Sequence, residues 1–348
     1  ILRLSPINIF RNYNISLLRN FVYANFIIFF MSYFSTSFYD FFETDSSAYI
    51  YYSKNLSDIT NRLFIYIIPS YLYSFFFNYN FFKIPFDGGE YFLNHSIKNI
   101  FYINLSILLT GLYIFFYSLN RFLKININSF IIILFFLLPI TYKYSSFAGK
   151  ENLIILLISI SFYLFLKIKI YYLNNEFALL SLFSLLFIFV IIISTITRPY
   201  FLTYFLSVLL LFYPYHKLKI FIIAVIISCL YFTKYDFLSL SLFQLFINNF
   251  LVTFLTPNPI NFVNWLNFPF ETLTNILLIF SYLFLFLYRP SLFFIYLTVI
   301  FLLSIPSTLI IFEFNELNSS NYIAGYSTRT RYPIYYFLII HCFYSYIN

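Results

Sequence analysis

Long apolar stretches alternate with short polar ones along almost the whole chain. A helix that crosses about 30 Å of hydrocarbon needs roughly 20 mostly apolar residues, and about ten stretches approach that length. They are residues 21–38, 99–119, 128–142, 153–168, 178–196, 201–214, 219–232, 272–287, 291–311 and 333–347. The pattern predicts an all-α fold, a polytopic transmembrane helical bundle of about ten spans. No soluble domain or internal repeat interrupts it, so residues 1–348 are interpreted as a single integral membrane domain.

The charged residues divide unevenly between the two sides that these spans create. With the N-terminus inside, the inner segments hold ten basic residues and one acid, Glu176. The outer segments hold ten basic residues and the other eleven acids. This asymmetry follows the positive-inside rule. The main outer loops are then 39–98, 143–152, 233–271 and 312–332, with a short outer turn at 197–200.

The apolar stretch 63–79 requires a different interpretation. It contains Pro69, and counting it as a span would invert every later loop and destroy the charge asymmetry. We therefore expect an interfacial helix that lies on the outer face, within the first outer loop. The first span is flanked by arginines but lacks a small-residue cleavage site after it, so no cleavable signal peptide is expected.

Composition agrees with a membrane protein and excludes several functional classes. Apolar residues make up 62% of the chain, charged residues 9%, and the mean hydropathy is +0.86, whereas soluble domains carry roughly 25% charged residues. Cys229 and Cys342 are isolated, and His95, His216 and His341 are far apart in sequence, so neither a disulfide framework nor a zinc site is expected. No GxGxxG, phosphate-loop or GxSxG motif supports nucleotide-driven transport or serine hydrolysis.

Three carboxylates begin the first outer loop. Asp40, Glu43 and Asp45 lie within six residues of one another, directly after a predicted span. A carboxylate near a membrane surface can have a raised pKa, which suits a general base that activates a hydroxyl, and such a group can also bind a cation. The alternative is a solvated loop whose acids only face water.

Basic residues mark the other outer segments. Lys150 precedes Glu151 at the start of a span, where the pair could line a cleft or Glu151 could simply cap the helix. Arg198, Arg329 and Arg331 lie on the outer side against the charge rule. Arginine binds phosphate through a planar fork of donors, so these side chains could hold a lipid-linked phosphate. Snorkelling, or pairing with outer acids, is the alternative.

These polar segments occur in an order that resembles the arrangement in a known superfamily. DSSAYIYY follows the first span, an amphipathic segment with a proline comes next, and PITYKYSSFAGKENL leads into a later span. TRPY follows two spans further on, and RTRYPIYYFLI enters the last one. The arrangement resembles the bacterial membrane glycosyltransferases of the GT-C superfamily, with which we group the polytopic O-antigen and exopolysaccharide polymerases of the Wzy and EpsG-like types. The resemblance extends over about residues 20–347, although each motif is short.

The resemblance implies a reaction and roles for these residues. An acid of the first outer loop would act as base or bind a metal, which by position is Asp45, with Glu43 and Asp40 as further candidates. Outer cations would hold a polyprenyl phosphate or pyrophosphate, here Arg329 and Arg331, then Arg198 and Lys150, with Glu151 supporting them. The partners implied are a polyprenyl-linked sugar donor, a lipid-linked or glycan acceptor, membrane lipid and other polysaccharide-assembly proteins, without nucleic acid.

The expected function is a glycosyltransferase of surface-polysaccharide assembly in the bacterial inner (plasma) membrane, with the active side facing out. A polymerase is favoured over a transferase of single sugars from a polyprenyl phosphate. No cofactor is required by the sequence, and a divalent cation stays open. The rival from another class is a lipid-linked oligosaccharide flippase or another transporter. Transporters usually carry polar or broken helices at mid-membrane and internal repeats, which this sequence lacks. A structural membrane protein would leave the outer charges unexplained.

Overall fold

A computed structural model describes about three fifths of the chain, and the regular elements in that part are all α-helices. The described residues are 64–78, 90–125, 150–213, 216–232, 260–267, 269–313 and 332–342, with residues 18, 19, 22, 23, 26, 141, 144, 145, 244, 246, 247 and 250. The chain divides into two units, Ile1–Arg198 and Pro199–Asn348. The described residues of each unit form mainly apolar helices.

Four helices form the described part of the first unit. They are α1 (Phe64–Asn78), α2 (Glu90–Leu123), α3 (Glu151–Leu173) and α4 (Phe177–Thr197). Helix α2 packs along α3, α3 packs along α4, and α1 contacts α4. The α2–α3 crossing is close at Gly111, where an added Cβ would lie 2.9 Å from the Cα atom of Leu156. Small residues allow this kind of close backbone approach between membrane helices.

Helix α4 exposes nearly all of its apolar surface. It contains no charged residue, and only 6% of its most apolar stretch is buried. The exposed side chains include Phe177, Leu182, Leu185, Phe189 and Ile192. Soluble monomers rarely expose a continuous apolar patch of this kind. The surface of α4 therefore indicates a helix that faces lipid.

Six helices form the described part of the second unit. They are α5 (Phe201–Phe212), α6 (Lys217–Phe232), α7 (Phe262–Asn267), α8 (Pro269–Tyr288), α9 (Pro290–Glu313) and α10 (Tyr332–Cys342). Proline opens both α8 and α9, at a position where its missing N–H has no helical partner to lose. Helix α9 contacts α5, α6 and α8. Helix α10 is buried from residue 332 to residue 341, which makes it the core of this unit.

Eight predicted spans fall wholly or in part on described helices, namely those at 99–119, 153–168, 178–196, 201–214, 219–232, 272–287, 291–311 and 333–347. By length and apolar composition, Ile103–Leu123, Glu151–Leu173 and Phe177–Thr197 could each cross a membrane. Shorter apolar helices cover 201–212, 272–288, 292–305 and 332–342. The all-α fold is thus confirmed over the described residues and the helices indicate a membrane protein, while the number of about ten spans stays a prediction.

One difference from the sequence prediction concerns the first outer loop. Helix α2 begins at Glu90, so residues 90–98 of the predicted loop 39–98 are helical. Hydropathy locates only the part of a helix that suits hydrocarbon, whereas the hydrogen-bonded helix continues into polar sequence. Within the predicted interfacial stretch 63–79, residues 64–78 are helical as α1, and the position of this helix on the outer face stays a prediction. The predicted spans 21–38 and 128–142 lie outside the described residues except at isolated positions.

Candidate functional site

The first unit brings together three of the residues that the sequence singled out. Lys150 directly precedes α3, Glu151 is its first residue, and Arg198 directly follows α4. Helices α3 and α4 are antiparallel neighbours of 23 and 21 residues, joined by the turn at 174–176. Their far ends therefore lie level with each other. We call Lys150, Glu151 and Arg198 the ionic cluster.

The Glu151 carboxylate lies at the centre of the ionic cluster. Its Oε2 accepts a hydrogen bond from the backbone N–H of Lys150 at 3.0 Å. Its Oε1 lies 3.5 Å from Nη1 of Arg198, which makes an ion pair between α3 and the end of α4. The carboxylate thus binds the positively polarised N-terminus of α3 with one oxygen and a guanidinium with the other.

The cluster is buried although all three residues can carry charge. Glu151 is 1% exposed, Arg198 5% and Lys150 9%. Removing such groups from water is expensive, and the cost is offset only when opposite charges and hydrogen bonds surround them. Arg198 therefore pairs with an acid instead of reaching water, and Glu151 both caps its helix and holds Arg198. Glu151 lies in the first turn of α3, where the sequence allowed a simple cap, and its ion pair with Arg198 goes beyond that role.

Local sequence explains why Arg198 lies at this position. Helix α4 ends with the Arg198 N–H donating to the Ser194 carbonyl at 2.9 Å. Arg198 then has extended backbone geometry. Pro199 follows, and the residue before a proline is disfavoured in helical conformation. The sequence Thr197-Arg198-Pro199 thus ends the helix, and the Arg198 side chain leaves in a different direction from that of a helical residue.

A buried hydrogen-bond network lies next to the cluster. The Tyr73 hydroxyl of α1 donates to Oδ1 of Asn104 on α2 at 2.7 Å. Asn104 Nδ2 donates to the Ser145 carbonyl at 3.1 Å. Asn152 Nδ2 donates to the Asn104 carbonyl at 3.1 Å and to Ser145 Oγ at 2.9 Å. Since Asn152 directly follows Glu151, this network ties α1, α2 and α3 together beside the cluster.

The sequence analysis did not identify the residues of this network. A signal was available, because Asn104 lies inside the apolar run IFYINLSILL. Polar amides within a membrane helix are costly unless they bond to another helix. An asparagine at such a position therefore indicates an interhelical contact, although not which partner it has.

Buried polar side chains gather at the helix ends that the charge pattern assigns to the outside. In the first unit, Ser194 and Thr197 lie at that end of α4, and Asn104 lies there on α2. In the second unit, the buried polar residues of α8 and α9 are Thr272, Thr274, Asn275, Ser304 and Thr308. All five belong to the predicted outer half of their helices. Ser118 and Asn120 of α2 are exceptions at the predicted inner end. The buried residues near the middle of their predicted spans are Ser159, Ser161, Ser207 and His341.

A second polar group lies inside the second unit. The Tyr296 hydroxyl of α9 donates to the Leu338 carbonyl at 3.0 Å. Its oxygen also lies 2.9 Å from Nδ1 of His341 on α10. The Phe212 ring contacts the His341 ring at a centroid distance of 5.3 Å, and the Tyr282 ring contacts the Tyr296 ring at 6.2 Å.

The remaining predicted site residues lie outside the described part of the chain. They are Asp40, Glu43, Asp45, Arg329 and Arg331, and their roles stay predictions. Within the described residues, no group of three or more His, Cys, Asp or Glu side chains could hold a metal ion. The divalent cation that the sequence left open therefore also stays a prediction.

No protein-family model matches the chain, and neither the curated proteins nor the solved structures contain a significant match.

Proposed function

We propose that this protein is a membrane glycosyltransferase of bacterial surface-polysaccharide assembly, acting at the outer face of the plasma (inner) membrane. The observation that supports this most is the buried ionic cluster, at helix ends that the positive-inside rule assigns to the outside. Buried arginine and lysine at the N-terminus of a helix form a suitable environment for phosphate. A lipid-linked sugar delivers a phosphate at this depth, next to the membrane boundary.

In the proposed reaction, Lys150 and Arg198 bind the phosphate or pyrophosphate of a polyprenyl-linked sugar, together with Arg329 and Arg331. Glu151 holds Arg198 in position through the ion pair at 3.5 Å. The cations stabilise the negative charge that grows on the phosphate as the sugar leaves it. Bidentate arginine contacts suit this task because both phosphate oxygens can be bound by one guanidinium.

A carboxylate of the first outer loop completes the reaction. Asp45, with Glu43 and Asp40 as the other candidates, takes the proton of an acceptor hydroxyl. The hydroxyl oxygen attacks the anomeric carbon, the bond from that carbon to the phosphate oxygen breaks, and the lipid (pyro)phosphate leaves. We favour polymerisation of lipid-linked repeat units over the transfer of single sugars, following the resemblance to O-antigen and exopolysaccharide polymerases.

Complementation tests this proposal. A strain that lacks the gene expresses wild type, Asp45→Asn, Arg331→Ala or Arg198→Lys, and its surface polysaccharide is separated on a gel. We expect a ladder with wild type and single repeat units with each variant at equal membrane expression. Glu176→Gln, on the exposed turn at the other end of α3 and α4, is the control and should keep the ladder. Loss of one sugar from the repeat unit would assign a monosaccharide transferase, and unchanged ladders in all variants would refute the site.

A transporter is the second candidate, and the polar group of Tyr296 and His341 favours it. Ionisable residues inside apolar helices often mark the path of a substrate or proton. His341→Gln distinguishes the two functions in the same strain. If the protein is a flippase, His341→Gln should leave repeat units on the inner leaflet. If it is a glycosyltransferase, His341→Gln should leave the length of the outer chains unchanged at equal expression. Inner-leaflet accumulation at full expression would favour the transporter.

A further inference from the structure

A half-buried lysine lies near the end of α3 that is remote from the ionic cluster. The Nζ atom of Lys167 is 5.7 Å from the Phe122 ring centroid on α2 and 5.8 Å from the Phe183 ring centroid on α4. The Tyr163 and Tyr171 ring centroids lie at 6.0 and 5.3 Å, and the ammonium donates a hydrogen bond to the Tyr171 hydroxyl at 3.3 Å. These rings attract the cation, but they carry no charge that would neutralise it.

Two exposed cations lie at the same end of the first unit. Arg121 directly precedes Phe122, and Lys124 directly follows the last residue of α2. Because the Phe122 ring faces Lys167, the three basic residues belong to neighbouring parts of α2 and α3. Within the part of the chain that the structure describes, none of the three forms an ion pair. Three positive charges therefore gather here without an acid bound to any of them.

The helix dipole does not account for all of this charge. The C-terminus of a helix attracts cations, which explains a basic residue such as Arg121 in the last turn of α2. Helix α3 has no basic residue in its last turn, since Lys167 lies before it. The effect of the dipole is confined to the terminal turn. Lys167 thus carries a charge that neither the dipole nor a described acid balances.

An apolar surface begins beside these cations. Phe183 belongs to α4, on which Leu179 and Leu182 are exposed. A soluble anion makes no use of such a surface, whereas the acyl chains of a lipid pack along it. Glu176 is the described acid at this end, and its Oε1 accepts a hydrogen bond from the Asn174 amide at 3.1 Å.

We propose that Lys167, Arg121 and Lys124 bind the phosphodiester headgroup of an anionic membrane lipid, whose acyl chains lie along α4. An ammonium has three donors, and Tyr171 accepts one of those of Lys167, which leaves two for phosphate oxygens. The charge pattern assigns this end to the inner leaflet, where basic sites between membrane helices bind anionic headgroups. The lipid site is independent of the proposed glycosyltransferase site, which lies at the other ends of α3 and α4.

The test compares two lipids with identical tails and different headgroup charge. Full-length protein in neutral detergent is titrated with dioleoyl phosphatidylglycerol and with dioleoyl phosphatidylcholine, and bound lipid is counted by native mass spectrometry. Wild type should bind phosphatidylglycerol at least about tenfold more tightly, since each basic residue near a membrane surface adds roughly fivefold for an anionic headgroup. Lys167→Gln should lower this preference by about fivefold, whereas Lys167→Arg keeps the charge and the ring contacts and should retain it.

Controls separate the lipid site from other roles of these residues. Lys219→Gln removes an exposed cation of the second unit and should keep the wild-type preference. Equal binding of both lipids by wild type, or an unchanged preference in Lys167→Gln, would overturn the proposal and leave Lys167 a purely structural role. Displacement of phosphatidylglycerol by free glycerol phosphate would assign the cations to a soluble phosphate and also overturn it. If Lys167→Gln does not fold, the double variant of Arg121→Gln and Lys124→Gln decides, and an unchanged preference in that variant refutes the site.

The outcome does not depend on the proposed function. A glycosyltransferase that lacks this lipid preference would refute the lipid site alone. A protein that shows the preference but whose Arg198→Lys variant keeps the polysaccharide ladder would refute the glycosyltransferase site alone.

Discussion

Replacing Arg198 with methionine tests the energetics of the ionic cluster. The substitution removes the guanidinium 3.5 Å from Oε1 of Glu151 and leaves a carboxylate that is 1% exposed. At that separation two unit charges attract by about 5 kcal/mol for an effective dielectric constant of about 20. Desolvation offsets part of this attraction, and breaking a buried pair from one side typically costs about 3–5 kcal/mol. Because 3.5 Å is longer than an optimal charged hydrogen bond, we expect about 3 kcal/mol for Arg198→Met.

A double-mutant cycle isolates the pair from other effects of the substitution. Glu151→Gln keeps an acceptor for the Lys150 N–H but removes the charge that faces Arg198. The double variant leaves neither charge uncompensated, so its cost should be at least about 2 kcal/mol smaller than the sum of the single costs. Equilibrium unfolding in mixed detergent and SDS micelles, followed by circular dichroism, measures all three free energies.

The control for this cycle is Glu176→Gln at the exposed turn between α3 and α4. Surface substitutions away from special features change stability by no more than about 0.5 kcal/mol, and we expect the same here. The reasoning is refuted if the costs of Arg198→Met and Glu151→Gln add within about 0.5 kcal/mol, since additivity means that the two groups do not interact.

Three further substitutions test other contacts within the first unit. Tyr73→Phe removes a buried hydrogen bond between α1 and α2 and should cost about 1–3 kcal/mol in the same unfolding assay, whereas Tyr71→Phe on the exposed side of α1 should cost almost nothing. Gly111→Ala places a Cβ 2.9 Å from the Leu156 Cα, so it should destabilise by about 1–3 kcal/mol despite the better helix propensity of alanine. Lys167→Met removes an ammonium that lies 5.3–6.0 Å from four aromatic ring centroids and should lower stability by about 1–2 kcal/mol. A free energy of unfolding unchanged from wild type would contradict the contribution of the corresponding contact.

The sequence predicted helix positions well where hydropathy is strong. The spans expected at 153–168 and 178–196 are helices over Glu151–Leu173 and Phe177–Thr197. Their antiparallel arrangement follows from the short polar turn between them. The same topology placed the segments 143–152 and 197–200 on one side, which is why Lys150, Glu151 and Arg198 could be nominated together.

The contacts within the site could not be predicted in the same way. Arg198 could pair with any of the eleven acids on the predicted outer side, and only packing selects Glu151. The hydrogen bonds of Asn104 join positions 31 to 48 residues apart. Its partners are Tyr73, Ser145 and Asn152. Such pairings depend on which helices are neighbours and how they are rotated. Hydropathy carries neither piece of information, because lipid-facing and buried apolar positions are alike in composition.

Labelling from outside the cell tests the central claim that α3 and α4 present the ionic cluster at the outer membrane face. Pro199→Cys and Asn174→Cys each add one thiol, at opposite ends of these helices, to a protein whose Cys229 and Cys342 are replaced with alanine. A membrane-impermeant maleimide is applied to intact cells and then to broken membranes. We expect Pro199→Cys to react in intact cells and Asn174→Cys to react only after the membrane is broken. The reverse pattern would place the cluster in the cytoplasm and contradict the proposed function.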